Sequence, residues 1–168
     1  LQNKSKAELI AELEDLRVSE KKYRVMLDES SDPIFTFSPD GQYRYVNLAF
    51  ANGVGKGTEE IIGKRICDVF SKEEADKRFA VVKWVFENGE SKIIEVRVPR
   101  PDGDRYYLTT AKPILNDEGL TISVICISKE ITERKTMEER LAHLAQYDAL
   151  TDLPNRMLFS DRLRHAIA

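Results

Sequence analysis

The sequence is poor in several things, and each scarcity excludes a class of protein. Of 168 residues only two are cysteine and two histidine. Cys67 and Cys126 both sit in apolar surroundings, so neither a disulfide framework nor a cysteine-rich metal site is on offer. Reduced thiols in the cytoplasm are the expectation. The longest apolar run, around residues 122–127, is far too short to span a bilayer, and direct membrane contact is not expected. Neither sign of charge dominates: 26 Lys and Arg are interleaved with 29 Asp and Glu, for a net charge of −3. Without a basic face, nucleic acid and anionic membranes are not expected partners. No nucleophile and base pair up in the sequence, and no metal-ligand spacing occurs. There is no initiator Met and no signal-peptide pattern, so the chain reads as an excerpt of a longer protein. Its length suits one domain with attachments, large enough to bury a core.

What is present begins with a charged, Leu-rich stretch over residues 3–28 that has no Gly or Pro. Leu9, Leu13, Leu16, Glu20, Tyr23 and Leu27 step by four and three, the a/d spacing of a heptad seam that Glu20 interrupts. The bland reading is an amphipathic helix packed on its own domain. The reading adopted divides the seam: Leu9, Leu13 and Leu16 pair between chains, while Tyr23 and Leu27 pack on the globular part. A polar helix of this kind needs a partner, since isolated helices are marginal in water.

From Asp32 the period changes from helical to alternating. Ile34-Phe-Thr-Phe37, the turn Ser38-Pro-Asp-Gly41 and Tyr43-Arg-Tyr-Val46 predict a β-hairpin. Asn47 is placed to cap the helix that follows. Gly53-Val-Gly55-Lys56-Gly57-Thr58 fails the phosphate-loop pattern in spacing and follows a helix where a strand is required. Ser71-Lys-Glu-Glu74 predicts a capping box, opening a helix to Asn88-Gly89 with Ala75, Phe79, Val82 and Phe86 on one face. Trp84 lies nearly opposite that face, as a cover from a neighbouring loop or a partner contact. Three strands follow, turned at Pro101-Asp-Gly103 and Asn116-Asp-Glu-Gly119. The last, from Leu120 to Ile127, is apolar on both faces, which predicts a sheet covered on both sides. Ile131 then opens a helix, with Met137, Leu141 and Leu144 at heptad spacing, expected to run unbroken into Asp148.

This order of elements resembles a PAS domain. The motifs carrying the resemblance are Tyr23-Arg-x-Met-Leu27-Asp-x-Ser-x-Asp32-x-Ile34, Asp40-Gly41 with Tyr45-Val46-Asn47-x-Ala49-Phe50, Arg100-x-Asp102-Gly103, and Lys112-Pro113-Ile114 with Gly119. The exit Glu130-Ile131-Thr132-Glu133-Arg134-Lys135 resembles the Asp-Ile-Thr ending of many sensory PAS domains, with Glu130 in place of Asp. Further on, Asp148-x-Leu150-Thr151-x-Leu153-Pro154-Asn155-Arg156-x-x-Phe159 resembles the opening of a GGDEF domain, the catalytic unit of diguanylate cyclases. There Asp152 replaces a more common Gly, at a place where Asp tolerates left-handed backbone. The resemblance implies an α+β PAS fold, a five-stranded antiparallel sheet with short helices on one face and signalling helices at both ends. The implied divisions are an N-terminal coiled-coil-like helix over 1–22, the PAS domain over 23–135, a linker helix over 136–147 and the start of a GGDEF domain over 148–168.

No two of the eight glycines are adjacent, so the GGDEF signature loop is absent and no catalytic residue is assigned. The expected function is therefore control of cyclic di-GMP synthesis by a downstream domain, through dimer geometry, a small ligand or both. By alternation and the family's register, Phe35, Phe37, Ile94, Val96, Tyr107, Thr109, Val124 and Cys126 line a cup that Phe79 and Val82 close. Such residues are first of all core, and whether the cup is filled or open stays undecided. The cofactor is unknown. The PAS region has no His, which excludes His-ligated haem, and Cys67 does not sit in the flavin-thiol motif. The relay and dimer residues are Leu9, Leu13, Leu16, Glu130, Ile131, Thr132, Met137, Leu141 and Leu144, in a homodimer with an unidentified small ligand as a further candidate partner. The alternatives are a ligand-free dimerisation spacer, or a PAS module ahead of a degenerate GGDEF domain and a phosphodiesterase domain.

Overall fold

The computed structural model describes residues 5–100, 103–148 and 150–167. They form α1 (Lys6–Asp28), β1 (Ile34–Phe37), β2 (Tyr43–Val46), α2 (Leu48–Val54), α3 (Thr58–Ile61), α4 (Ile66–Val69), α5 (Lys72–Asn88), β3 (Lys92–Val98), β4 (Arg105–Leu115), β5 (Thr121–Glu130), α6 (Thr132–Gln146) and α7 (Arg156–Ile167). The strands make one five-stranded sheet in the order β2-β1-β5-β4-β3, the expected α+β architecture. The chain divides into two compact units, one running to residue 95 and including 108–129, the other made of 96–107 and the residues from 130 onward. Among the described residues no helix is long and apolar enough to cross a membrane.

In the first unit, β1 lies between β2 and β5 and is antiparallel to both. Phe35 stands opposite Val46 and Cys126, and Phe37 opposite Val124, so pleating sends these side chains to one face. The hairpin turn forms as its residues predict: Gly41 N–H donates to Ser38 O at 2.9 Å with Gly41 at φ +77°. On α5, Ala75, Val82 and Val85 are buried against the sheet's core, and Gly89 ends the helix in left-handed backbone. Trp84 is half-buried against the same core with Lys92 Nζ 4.6 Å from its ring, so part of it packs within the domain.

Several expectations are corrected. Ser71 precedes α5 but makes no side-chain cap bond. The capping box forms instead at the start of α1, where Ser5 Oγ accepts from Glu8 N–H and Glu8 Oε2 accepts from Ser5 N–H. Tyr23 is 61% exposed on α1, so of the two residues expected to pack on the globular part only Leu27 is half-buried. On β5, Ile122 and Ile127 are exposed, so this strand is not covered on both sides within the described chain. The Pro101 and Asp102 part of the β3–β4 turn lies outside the described residues.

In the second unit, α6 stops at Gln146 instead of running into Asp148. Tyr147 is extended and bridges to Pro154. Asn155 takes over the last carbonyls of α6, donating from its backbone N–H to Gln146 O and from Nδ2 to Ala145 O, both at 2.8 Å. The break thus arises from residues eight to ten places further along, not from a helix breaker in α6. Asp148 Oδ1 accepts from Thr151 Oγ1, Thr151 N–H and Leu150 N–H, and those bonds hold its carboxyl below the usual range. Asp152 adopts φ +55°, the left-handed geometry expected of a Gly substitute. Its carboxylate meets His143 Nε2, whose ring stacks on Tyr147 at 4.4 Å.

Candidate functional site

The inner face of the sheet in the first unit is an aromatic cluster. Ring centroids lie 4.4 Å apart for Phe35 and Phe50, 4.6 Å for Phe37 and Tyr43, and 5.6 Å edge-on for Phe35 and Phe37. Of the expected lining, Phe35, Phe37, Val82, Val124 and Cys126 come together there as buried core. Burial pushes the Cys126 thiol up to about 12, so it stays a neutral, packed group at physiological pH. Thr109 is also buried, and its Oγ1 pairs with Ser128 Oγ at 2.8 Å. Ile94 is half-buried on β3. Phe79 takes another place: it is 37% exposed, and a Cβ added to Gly41 would lie 2.8 Å from its ring. Phe79 therefore covers the hairpin turn. Val96 and Tyr107 belong to the second unit and are half-buried there. Burial, then the nearby Glu130 charge, raises the Tyr107 hydroxyl.

Sequence reasoning missed Tyr43 and Phe50 as members of this cluster. Their strand and helix were placed correctly, but the rings meet only through the fold. Cap chemistry disclosed only part of Asn47. Its Oδ1 accepts from Phe50 N–H (3.0 Å) and Ile34 N–H (2.9 Å), and its Nδ2 donates to Leu27 O (3.0 Å) and Asp32 O (2.9 Å). One fully buried amide thus ties the end of α1 to β1 and to α2. Asp28 adds to this joint, its Oδ1 accepting from Tyr45 O–H (3.2 Å) and Leu48 N–H (3.3 Å).

The exit has a matching joint within the second unit. Ile131 N–H donates to Tyr106 O at 2.7 Å, and Thr132 Oγ1 accepts from Tyr106 N–H while donating to Glu130 Oε1. Glu130, one methylene longer than Asp, still reaches the threonine, and Arg105 lies 3.7 Å from it. The seam residues Leu9, Leu13 and Leu16 on α1, and Met137, Leu141 and Leu144 on α6, are exposed. Among the described residues no group of three or more His, Cys, Asp or Glu is placed to hold a metal ion.

A family model described as the PAS fold matches residues 27–136. The chain belongs to the PAS family. Its relatives are bacterial signalling proteins. It is 28% identical over 144 residues to the cyclic di-GMP phosphodiesterase PdeR of Escherichia coli, covering 84% of this chain and 22% of PdeR. It is 29% identical over 149 residues to a diguanylate cyclase of Vibrio cholerae, covering 87% of this chain and 46% of the cyclase. The chain therefore spans less than half of either relative. Among solved structures it is similar to the PAS domain of Bordetella pertussis BvgS, with a TM-score of 0.60 and 21% identity, covering 76% of this chain and 96% of that one.

Proposed function

We propose that this PAS domain is the regulatory module of a cytoplasmic cyclic di-GMP signalling protein, acting as a homodimer whose geometry sets the activity of an output domain. The observation that carries the reading is the pair of polar joints, Asn47 with Asp28 at the end of α1 and Thr132 with Tyr106 at the start of α6. Each couples sheet backbone to a helix that presents an exposed apolar stripe, so a shift in the sheet becomes a shift in the helix. Leu9, Leu13 and Leu16 then pair between chains, and Met137, Leu141 and Leu144 continue the pairing toward the output. The contiguous ring cluster favours a cup filled by its own side chains, with dimer geometry as the primary device.

For the output, the Asp148 to Phe159 motif supports a GGDEF domain. The similarity to PdeR, named as a phosphodiesterase, favours a second reading in which that domain is degenerate and hydrolysis of cyclic di-GMP is the regulated reaction. The relay reading requires self-association: light scattering is expected to show a dimer in the micromolar range, weakened by Leu13→Asp with Leu16→Asp. A strict monomer at high micromolar concentration would remove the relay. Parallel assays of synthesis from GTP and hydrolysis to linear product in the full-length protein decide between the two outputs.

A further inference from the structure

The turn between α6 and α7 holds a contact that the polar joints do not use. Asp152 sits at φ +55°, where a glycine would carry no strain, and the carboxylate is what Asp adds at that place. Its Oδ1 meets Nε2 of His143, in the last turn of α6. The His143 ring in turn stacks on Tyr147, with centroids 4.4 Å apart and planes 5° from parallel. Facing a carboxylate, Nε2 carries the proton and donates. The contact ties together a turn whose backbone is already bonded. Tyr147 N–H donates to His143 O at 2.8 Å, Asp152 N–H to Asp148 O at 2.9 Å and Asn155 N–H to Gln146 O at 2.8 Å. From the turn, the charged group facing the ring is Asp152; Glu139 and Arg140 lie one turn back on α6. The Asp148 carboxylate is taken up by Thr151 and Leu150.

We propose that His143 and Asp152 form a pH-sensitive latch that holds the break between α6 and α7. While the imidazole is neutral, the latch is one hydrogen bond to a carboxylate. An imidazole gains its second proton in the range of about pH 5 to 8, and the contact then becomes a charge-assisted ion pair. The same charge strengthens the stack on Tyr147, since a cation is attracted to a ring face. Both changes act in one direction, so the latch tightens as pH falls. The two side chains are 48% and 81% exposed, which keeps the effect to about two- to fivefold in the ratio of closed to open turn. The consequence rests on the relay reading: α6 carries the stripe of Met137, Leu141 and Leu144, and the latch sets how firmly its end is joined to α7.

The test follows hydrogen exchange at the amides of Tyr147, Asp152 and Asn155, as protection factors corrected for the intrinsic pH dependence of exchange. From about pH 8 to about pH 5.5 their protection is expected to rise about two- to fivefold. The amide of Gly89, bonded to Val85 O at the end of α5, should stay level. Asp152→Asn tolerates the left-handed backbone and removes the charge, while His143→Gln keeps a donor that takes no proton. Each should flatten the rise, and both variants retain His165. A level profile in the unaltered chain, a rise that survives either variant, or an equal rise at Gly89 overturns the proposal. Exchange is read on this chain without an output domain. A full-length protein whose activity ignores pH while the latch responds would therefore count against the relay and leave the latch standing.

Discussion

Replacing Asn47 by Ala separates a helix cap from a structural joint, and the two predict different losses. A cap alone is worth about 1 kcal/mol. The structure shows two buried donors, Ile34 N–H and Phe50 N–H, and two partly buried acceptors, Leu27 O and Asp32 O, all satisfied by this one amide. An orphaned buried donor costs about 1–3 kcal/mol, and the carbonyls less because water reaches them. The expected loss is about 4 kcal/mol, or roughly 15 °C in melting temperature for a domain of this size. Trp84 is the only tryptophan and is half-buried against the core, so its fluorescence in urea reports unfolding directly. The midpoint should fall with the slope unchanged. A loss near 1 kcal/mol would refute the joint and leave only the cap. Asn47→Asp refines the test. A carboxylate keeps both acceptor bonds but has no proton for Leu27 O, and it sets negative charge against two carbonyl oxygens. It should be no more stable than Asn47→Ala at neutral pH, with faster amide exchange in the last two turns of α1.

Other predictions follow from single contacts. Gly41→Ala places a Cβ at φ +77° and 2.8 Å from the Phe79 ring, for an expected loss of about 2 kcal/mol by chemical denaturation. Adding Phe79→Ala should relieve the clash but not the backbone strain, so the double variant loses less than the sum. Burial, then the Asp28 charge and hydrogen bond, raises the Tyr45 hydroxyl from 10.0 to about 12. Its contribution to stability is therefore whole below pH 10 and is lost as pH rises through about 12. Ultraviolet titration should show late tyrosine ionisation coinciding with loss of circular dichroism, and Tyr45→Phe should move that loss to higher pH. Cys67 is exposed and Cys126 buried, so a thiol reagent should label one site in the native protein and two in denaturant; rapid native labelling of both would contradict the packed core.

Most secondary structure was legible because it depends on near neighbours. The turn at Ser38 to Gly41, the end of α5 at Gly89 and the left-handed Asp152 each follow from one residue's backbone preference. The readings that failed depended on distant partners. The end of α6 is decided by Asn155, and the exposure of Tyr23 by what α1 does not touch. Phe79 sits where its helical face predicts a core contact, yet the hairpin turn reaches it first. Ser71 has the sequence of a capping residue without the bond, while Ser5, unremarked in the sequence, makes it.

The candidate site divides in the same way. Alternation together with the family's register identified Phe35, Phe37, Val124 and Cys126 as one face, the first because the pleat has a period of two whatever the fold. It was silent on Tyr43 meeting Phe50 and on one amide gathering three segments. Those facts join residues that lie 13 to 20 positions apart at Asn47. By itself the sequence determined the local geometry of this PAS domain and the stripes on its two signalling helices, since both are set by periodicity and backbone preference. Only the tertiary structure decided which polar groups find partners, because satisfying a buried hydrogen bond depends on what the rest of the chain brings within 3 Å.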